Sequence, residues 1–128
     1  MKKTDLMIGD KVMVKVLSQI PNTYVLHTWT ANDYSRDIQV KPIPLTAEIL
    51  EKDGWERDID KEWEYNNSHI LPHYCYQWEK QNVKVEMYAG LEGFTISLII
   101  GRRFYAVHEL QHVLRLYGLD ELADNFKI

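Results

Sequence analysis

The chain has 128 residues, of which 45% are hydrophobic and 27% are charged, and its formal net charge is −4. This length and composition are typical of one globular domain spanning residues 1–128, and they exclude a compositionally disordered chain. No apolar run approaches the roughly 20 residues that span a bilayer, and no apolar segment of a secretory signal follows Lys2 and Lys3. We therefore expect a cytoplasmic protein, and the lone Cys75 agrees with a reducing compartment.

The first third of the chain, about residues 6–43, reads as β-structure. In DKVMVKVL the valines alternate with other residues, which is the period of a half-buried strand, and the turn signal Gly9-Asp10 precedes it. Two further strand candidates follow, TYVLHTWT after Pro21-Asn22 and RDIQVKPI after ANDYS. Short strands with tight connections predict a small sheet, and an SH3-like barrel is one form for it.

Two helices and a hairpin region are predicted beyond this point. A short helix at about residues 46–53 is indicated by Thr46, a natural N-cap, and by Gly54, which stands where a left-handed residue ends a helix. The region 65–101 contains three runs of strand length, HILPHYCYQW, NVKVEMYA and FTISLIIG, and the loop GLEG between the last two predicts a β-hairpin. An amphipathic helix is predicted at about residues 105–117. The sequence therefore predicts an α+β fold in which both helices pack on antiparallel sheets.

The C-terminal helix contains the sequence HELQH, which matches the H-E-x-x-H pattern of zinc peptidases. On a helix His108 and His112 lie one turn apart on the same face, where both can bind one Zn²⁺. Glu109 would then be the general base that takes a proton from metal-bound water. A catalytic zinc site normally has three protein ligands, and Glu121 is the least poor candidate for the third.

The same residues also fit an ordinary helix face. Gln111 and Arg115 share that face with the two histidines, as on a solvated polar surface. The extended peptidase pattern is absent, because Arg115 stands in place of its glycine and Gly118 in place of its third histidine. We therefore expect no catalytic residue, metal or cofactor, and we keep a small zinc-dependent peptidase as the alternative function.

A second group of metal-capable side chains consists of His69, His73 and Cys75. On a strand they would share a face, but Pro72 interrupts the run and aromatic residues surround it, as in a packed or edge strand. Structural roles are expected for all three. No base that would activate Cys75 as a nucleophile is visible.

Charge is unevenly distributed along the chain. Between Glu48 and Glu64 there are eight acidic and three basic residues, which predicts an acidic surface. The negative net charge argues against binding to a phosphate backbone, so no nucleic-acid partner is expected. The alternative is nucleic-acid contact through the β-rich N-terminal half, which carries Lys11, Lys15 and Lys41.

Aromatic residues crowd the middle of the chain beside the acidic run. Most large aromatics pack in protein cores, but an exposed group of them is typical of a binding surface. The residues that we predict for such an interaction surface are Trp55, Trp63, Tyr74, Tyr76 and Trp78. The expected partners are an unidentified protein or a second copy of the chain, and no membrane.

Three segments, LMIGDKV, IQVKPIPLTAEILEKDGWE and FYAVHELQHVLRLYGLDEL, resemble an uncharacterised family of small proteins from Bacteroides-type gut bacteria, their phages and mobile elements. Its typical segments read LRIGN, PIPLTEEIL and YVHQLQNLYFALTGEEL. The positions that match Glu109 and His112 are commonly Gln and Asn in that family. The resemblance therefore implies that the family does not share the full H-E-x-x-H pattern. It brings no biochemical activity with it. We expect a non-enzymatic interaction or accessory protein of bacterial or phage origin.

Overall fold

The computed structural model describes residues 1–18, 23–59, 62–63, 73–78, 83–88, 93–96 and 99–128. The chain forms two compact units, unit 1 (Met1–Pro44 and Ala106–Phe126) and unit 2 (Leu45–Tyr105 and Lys127–Ile128). Each unit contains helix and an antiparallel sheet, so the predicted α+β class is confirmed. That the whole chain is a single domain stays a prediction, because the compactness of each unit does not measure whether the two unfold together.

The described strands are β1 (Lys11–Val16), β2 (Val25–Thr28), β3 (Ile38–Lys41), β4 (Glu56–Arg57), β5 (His73–Gln77), β6 (Lys84–Tyr88), β7 (Phe94–Ile96) and β8 (Ile99–Phe104). The described helices are α1 (Ala47–Asp53), α2 (Val107–Leu116) and α3 (Asp120–Asp124). No helix in these ranges is long and apolar enough to cross a bilayer.

Unit 1 is built on a three-stranded antiparallel sheet of order β2-β1-β3. The alternation predicted from DKVMVKVL is confirmed, because Val12 and Val14 are buried while Lys11, Met13 and Lys15 are half-buried. The buried side joins a core cluster whose members are Leu6, Val12, Val14, Trp29 and Ile38. In the described residues β2 and β3 are the edges of the sheet and no barrel closes, so the SH3-like form stays a prediction.

Helix α2 packs on this sheet, as predicted for the C-terminal helix. It contacts β1, and Val107, Leu110 and Leu114 are fully buried along it. The backbone N–H of Val107 donates to the carbonyl oxygen of Ile43 at 2.9 Å, which satisfies one of the free N–H groups of the first turn. The chain end therefore returns to the N-terminal sheet.

Unit 2 contains a five-stranded antiparallel sheet of order β4-β5-β6-β7-β8. Helix α1 begins and ends as predicted, since Thr46 Oγ1 accepts a hydrogen bond from Ile49 N at 3.2 Å and Gly54 has a φ of 104°. The run FTISLIIG was predicted to be one strand, but it contains β7 and the start of β8, which pair with each other. A continuous apolar run gives no signal of chain reversal, and residues 97–98 lie outside the described ranges.

Candidate functional site

The polar face of α2 is buried in unit 1, which corrects the expectation of a solvated face. Gln111 is fully buried, His108 is 8% exposed, and the side chain of Arg115 is 10% exposed. His112 is half-buried. Buried polar groups need hydrogen-bond partners inside the protein, so the contacts of this face decide what HELQH can do.

Gln111 uses its whole amide to join three separate segments of unit 1. Its Oε1 accepts a hydrogen bond from the backbone N–H of Lys11 at 2.8 Å. Its Nε2 donates to the carbonyl oxygens of Gly9 at 3.0 Å and Ala123 at 2.9 Å. One side chain thus fixes the start of β1, the turn before it and helix α3 to α2.

The second centre of this face is Asp10, whose carboxylate is fully buried. Asp10 Oδ2 lies 2.5 Å from His112 Nε2 and accepts a hydrogen bond from Met7 N at 2.8 Å. Asp10 Oδ1 accepts from Arg115 Nη1 at 2.5 Å. The turn that carries Asp10 needs Gly9, whose φ is 94°, in a region that other residues rarely adopt.

Arg115 extends the same set of contacts to α3, because its Nε donates to Asp124 Oδ1 at 3.1 Å. We call Asp10, His112, Arg115 and Asp124 the Asp10 network. Its members come from the N-terminal turn, from α2 and from α3. It therefore ties the two ends of the chain together within unit 1.

The protonation states of the network follow from its geometry. Burial is the largest influence on Asp10 and raises its pKa, but hydrogen bonds from His112, Met7 N–H and Arg115 together outweigh it, so the pKa lies below its ordinary value. The carboxylate is ionised and can only accept hydrogen bonds, so His112 Nε2 must carry a proton and donate it. This nitrogen therefore cannot bind a metal ion while it holds the proton, and Nδ1 is the His112 nitrogen that is left to bind one.

His108 lies beside His112, with ring centroids 5.5 Å apart and planes at 77°. Burial, together with the neighbouring His112, lowers the pKa of His108, so its imidazole is neutral at neutral pH. Its Nδ1 is buried without a hydrogen-bond partner among the described residues. The two histidines are thus brought together as the pattern predicts, with one engaged by Asp10 and the other packed as a neutral ring.

The remaining residues of the zinc hypothesis are not gathered around this pair. Glu109 is half-buried on α2, and Glu121 is exposed on α3. Within the described part of the chain, no group of three or more His, Cys, Asp or Glu side chains could hold a metal ion. Two of the three ligands that a catalytic zinc site needs are adjacent, and the third is not placed with them.

The second metal-capable group lies in and before β5. Cys75 is fully buried, and burial with the neighbouring Glu86 raises its pKa to about 12, so the thiolate is strongly disfavoured at neutral pH. His69 falls outside the described residues, and only the backbone of His73 is described. Cys75 therefore behaves as a packed core residue.

The five aromatic residues predicted as an interaction surface have different environments in unit 2. Trp55 and Tyr76 are buried, so they are not available as surface. Tyr74 and Trp78 are half-buried, and Trp78 packs edge-on against Trp55 with ring centroids 5.8 Å apart. Trp63 is 69% exposed.

The acidic run is only partly a surface. Glu62 and Asp53 are buried. Glu62 forms a bidentate ion pair with Arg57, in which its carboxylate accepts hydrogen bonds from Arg57 Nε at 3.1 Å and from Arg57 Nη2 at 2.8 Å. Asp53 accepts a hydrogen bond from Trp55 Nε1 at 2.9 Å, and burial raises its pKa to about 6. Charge counting along the sequence does not separate such structural acids from exposed ones.

Sequence reasoning missed the role of Asp10, which it treated only as part of a turn. The sequence signal was the group of polar residues at positions 108, 111, 112 and 115. Their helical spacing places them on one face of α2, and a polar face of this kind can be covered by a charged partner from another segment. A second buried carboxylate was missed as well. Asp33 is paired with His27 at 2.7 Å and Arg36 at 2.8 Å, and these contacts and Thr30 hold its pKa well below its usual range although burial alone would raise it.

The chain was compared with protein-family models, with curated proteins and with solved structures, and none of them matches it.

Proposed function

We propose that the chain is a non-enzymatic interaction protein that binds a protein partner through Ile59 and Trp63. These two residues, which we call the Trp63 surface, are each 69% exposed, and this exposure is the observation that carries the proposal. A bacterial cytoplasm or a phage context, which the resemblance implies, is part of the same proposal.

The local geometry supports a shared surface for the two side chains. Glu62 N–H donates to the Asp58 carbonyl oxygen at 3.0 Å, which is the spacing of an α-helical bond. Residues four positions apart on a helical turn are neighbours, so Ile59 and Trp63 present one apolar strip. Tryptophan is among the residues most often found as an energetic anchor of protein interfaces.

The turn that carries Trp63 is also held in place. Glu62 is paired with Arg57, and its Oε1 accepts a hydrogen bond from Cys75 N at 3.1 Å in β5. These contacts fix the turn before any partner arrives. Binding then costs less ordering entropy, which favours affinity from a small apolar strip.

The zinc-peptidase alternative lacks comparable support. It would have to use His112 Nδ1 as the ligand, because Nε2 donates to Asp10 at 2.5 Å. It also requires a third ligand near His108, and Glu121 is not gathered with the histidines among the described residues.

The proposal is tested by comparing the chain with Trp63→Ser and with Leu116→Ser, a matched control in unit 1 at a residue that is 74% exposed. Cross-linking in the cells that make the protein, followed by quantitative mass spectrometry, identifies candidate partners, and calorimetry with each purified candidate measures affinity. A hot-spot tryptophan contributes about 2 kcal/mol or more, so Trp63→Ser should weaken binding at least about 30-fold. The control should change it less than twofold.

Equal affinity of the chain and Trp63→Ser for every reconstituted partner, including a second copy measured by sedimentation velocity, would reject the Trp63 surface. The enzymatic alternative has its own measurement, the zinc content of the purified, untagged chain and of His112→Ala. Stoichiometric zinc that disappears in the variant would overturn the non-enzymatic assignment.

A further inference from the structure

The outer face of the sheet in unit 1 carries three lysines, and Asp37, directly before β3, has the same strand phase as Gln39 and Lys41 at its margin. Strands β1, β2 and β3 contain three lysines and no Asp or Glu. The register places the lysines on the side opposite the buried valines, since Lys11 lies across from Thr28, and Met13 lies between Leu26 and Lys41. The members of this lysine face are Lys11, Met13, Lys15, Leu26, Thr28, Gln39 and Lys41, with Tyr24 just before β2.

Tyr24 sits among these lysines. Its ring centroid is 4.3 Å from Lys41 Nζ and 5.2 Å from Lys15 Nζ, and its hydroxyl donates to Gln39 Oε1 at 3.4 Å. The ring is half-buried and Leu26 is exposed. Two ammonium groups therefore lie over an aromatic ring, on a face that also exposes Leu26.

The negative net charge of the chain is unevenly divided between the two units and along the sequence. The run from Glu48 to Glu64 has eight acidic and three basic residues, a net charge of −5, and it belongs to unit 2. Within unit 1 the carboxylates of Asp10 and Asp33 are buried and each is paired with an arginine. The charges of these two carboxylates are compensated inside the fold. Unit 1 as a whole has eight acidic and seven basic residues, a net charge of −1, and three of the seven basic side chains lie together on the sheet face.

We propose that unit 1 binds single-stranded nucleic acid on the lysine face. Residues advance about 3.3 Å along a strand and strands lie about 4.8 Å apart, so the Cα atoms of Lys11 and Lys15 are about 13 Å apart along β1, and Lys41 lies on the neighbouring strand. This spacing serves two or three consecutive phosphates. When the amines of Lys15 and Lys41 turn from the Tyr24 ring to phosphates, they uncover the ring for stacking on a base, which is how aromatic sheet faces bind single strands without sequence preference.

The chemistry favours a single strand over other polyanions. A duplex turns its bases away from a flat sheet, so it would contact the lysines without using Tyr24. An acidic peptide would pair with the lysines in the same way and would also gain nothing from the ring. The contribution of Tyr24 therefore separates a single-stranded nucleic acid from a generic acidic partner.

The experiment measures fluorescence anisotropy of a labelled 12-residue oligothymidylate with the full chain at NaCl concentrations from 25 to 200 mM. Three phosphate contacts on a single strand predict a slope of about −2 for log K against log salt, which is a loss of roughly 80-fold over this range. The triple variant Lys11→Gln, Lys15→Gln, Lys41→Gln should abolish binding. The matched control Lys2→Gln, Lys52→Gln, Lys127→Gln changes the net charge equally and should bind like the original chain.

Two single variants keep the test informative if the triple variant folds poorly. Tyr24→Leu should weaken binding of oligothymidylate at least about fivefold, because stacking on an aromatic side chain contributes at least about 1 kcal/mol per base. Lys41→Glu, at an exposed site, should weaken it more than the same change at Lys52. Trp63→Ser should leave it unchanged, so this proposal and the Trp63 surface can fail independently.

Absence of measurable binding at 25 mM NaCl would overturn the proposal. Equal loss of binding in the two triple variants, or an unchanged affinity in Tyr24→Leu, would also overturn it. Equal affinity for polyglutamate or for phosphatidylglycerol vesicles would overturn it as well, because the face would then bind acidic partners in general.

Discussion

Substitution of Gln111 by Met separates a structural HELQH helix from a catalytic one. In the zinc pattern the fourth position is variable, so a peptidase should tolerate the change. In the structure Gln111 is fully buried and joins Lys11, Gly9 and Ala123 through hydrogen bonds of 2.8, 3.0 and 2.9 Å. Met has a similar length and no hydrogen-bonding amide, so it removes the three contacts while keeping the volume.

The expected cost follows from what the substitution leaves unpaired. Lys11 N–H loses its partner in a part-buried site, and the Gly9 carbonyl loses its donor, whereas the Ala123 carbonyl still accepts a hydrogen bond from Phe126 N at 3.3 Å. A buried group without a partner costs about 1–3 kcal/mol. For two such groups we therefore expect Gln111→Met to lower the free energy of unfolding by about 2–6 kcal/mol, a large share of the roughly 5–15 kcal/mol of a typical domain.

The assay is urea denaturation followed by circular dichroism, with amide exchange of Lys11 measured by NMR as a local readout. The matched control is Leu116→Met on the same helix, at a residue that is 74% exposed, where the change should stay within about 0.5 kcal/mol. A loss of less than 1 kcal/mol in Gln111→Met, with the Lys11 amide still protected, would refute the structural role assigned to this residue.

Four further predictions concern other sites. Gly9→Ala should destabilise the protein by about 2 kcal/mol or more in urea titration, because the φ of Gly9 is 94° and an added Cβ would lie 2.9 Å from two polar side-chain atoms. Gly118→Ala is the control and should cost about 1 kcal/mol, because there is open space around Gly118. The lowered pKa of Asp10 gives stability that is present above its ordinary pKa of 3.8 and lost as pH falls below it, so denaturation of Asp10→Asn should depend less on pH between 4 and 2. The pH dependence that Asp53 gives has the opposite sign, because its pKa of about 6 makes the folded state bind more protons than the unfolded state. Its contribution to the free energy of unfolding falls as pH rises from about 4 to 6, and Asp53→Asn should remove this dependence on pH. Cys75, with a pKa of about 12, should not react with a disulfide reagent at pH 8 until urea unfolds the chain, which thiol titration measures.

The elements that the sequence predicts well are those specified by neighbouring residues. Thr46 and Gly54 mark the two ends of α1 through contacts that span three or four residues, and the valines of β1 show their burial by alternation alone. Such signals depend on local backbone geometry, which a single chain segment determines. This is why the α+β class and most element positions could be predicted.

The candidate site could not be predicted in the same way, because its contacts are distant along the chain. Gln111 bonds to a residue 100 positions away, and the contact between His112 and Asp10 spans 102 positions. Helical projection correctly places four polar residues on one face of α2, but it does not say whether water or another segment covers that face. The order of strands at β7 and β8 was hidden for a related reason, since an apolar run reads the same before and after a reversal.

The return of α2 to the first strand has a consequence for synthesis on the ribosome. Unit 1 is discontinuous, with Leu45–Tyr105 of unit 2 inserted between its two segments. At about 5–20 residues per second, β1–β3 emerge several seconds before α2, and during this interval Asp10 lacks both His112 and Arg115. The N-terminal segment therefore cannot complete its native contacts until α2 has been synthesised, so the later segment of unit 1, rather than the first, controls when this unit becomes native.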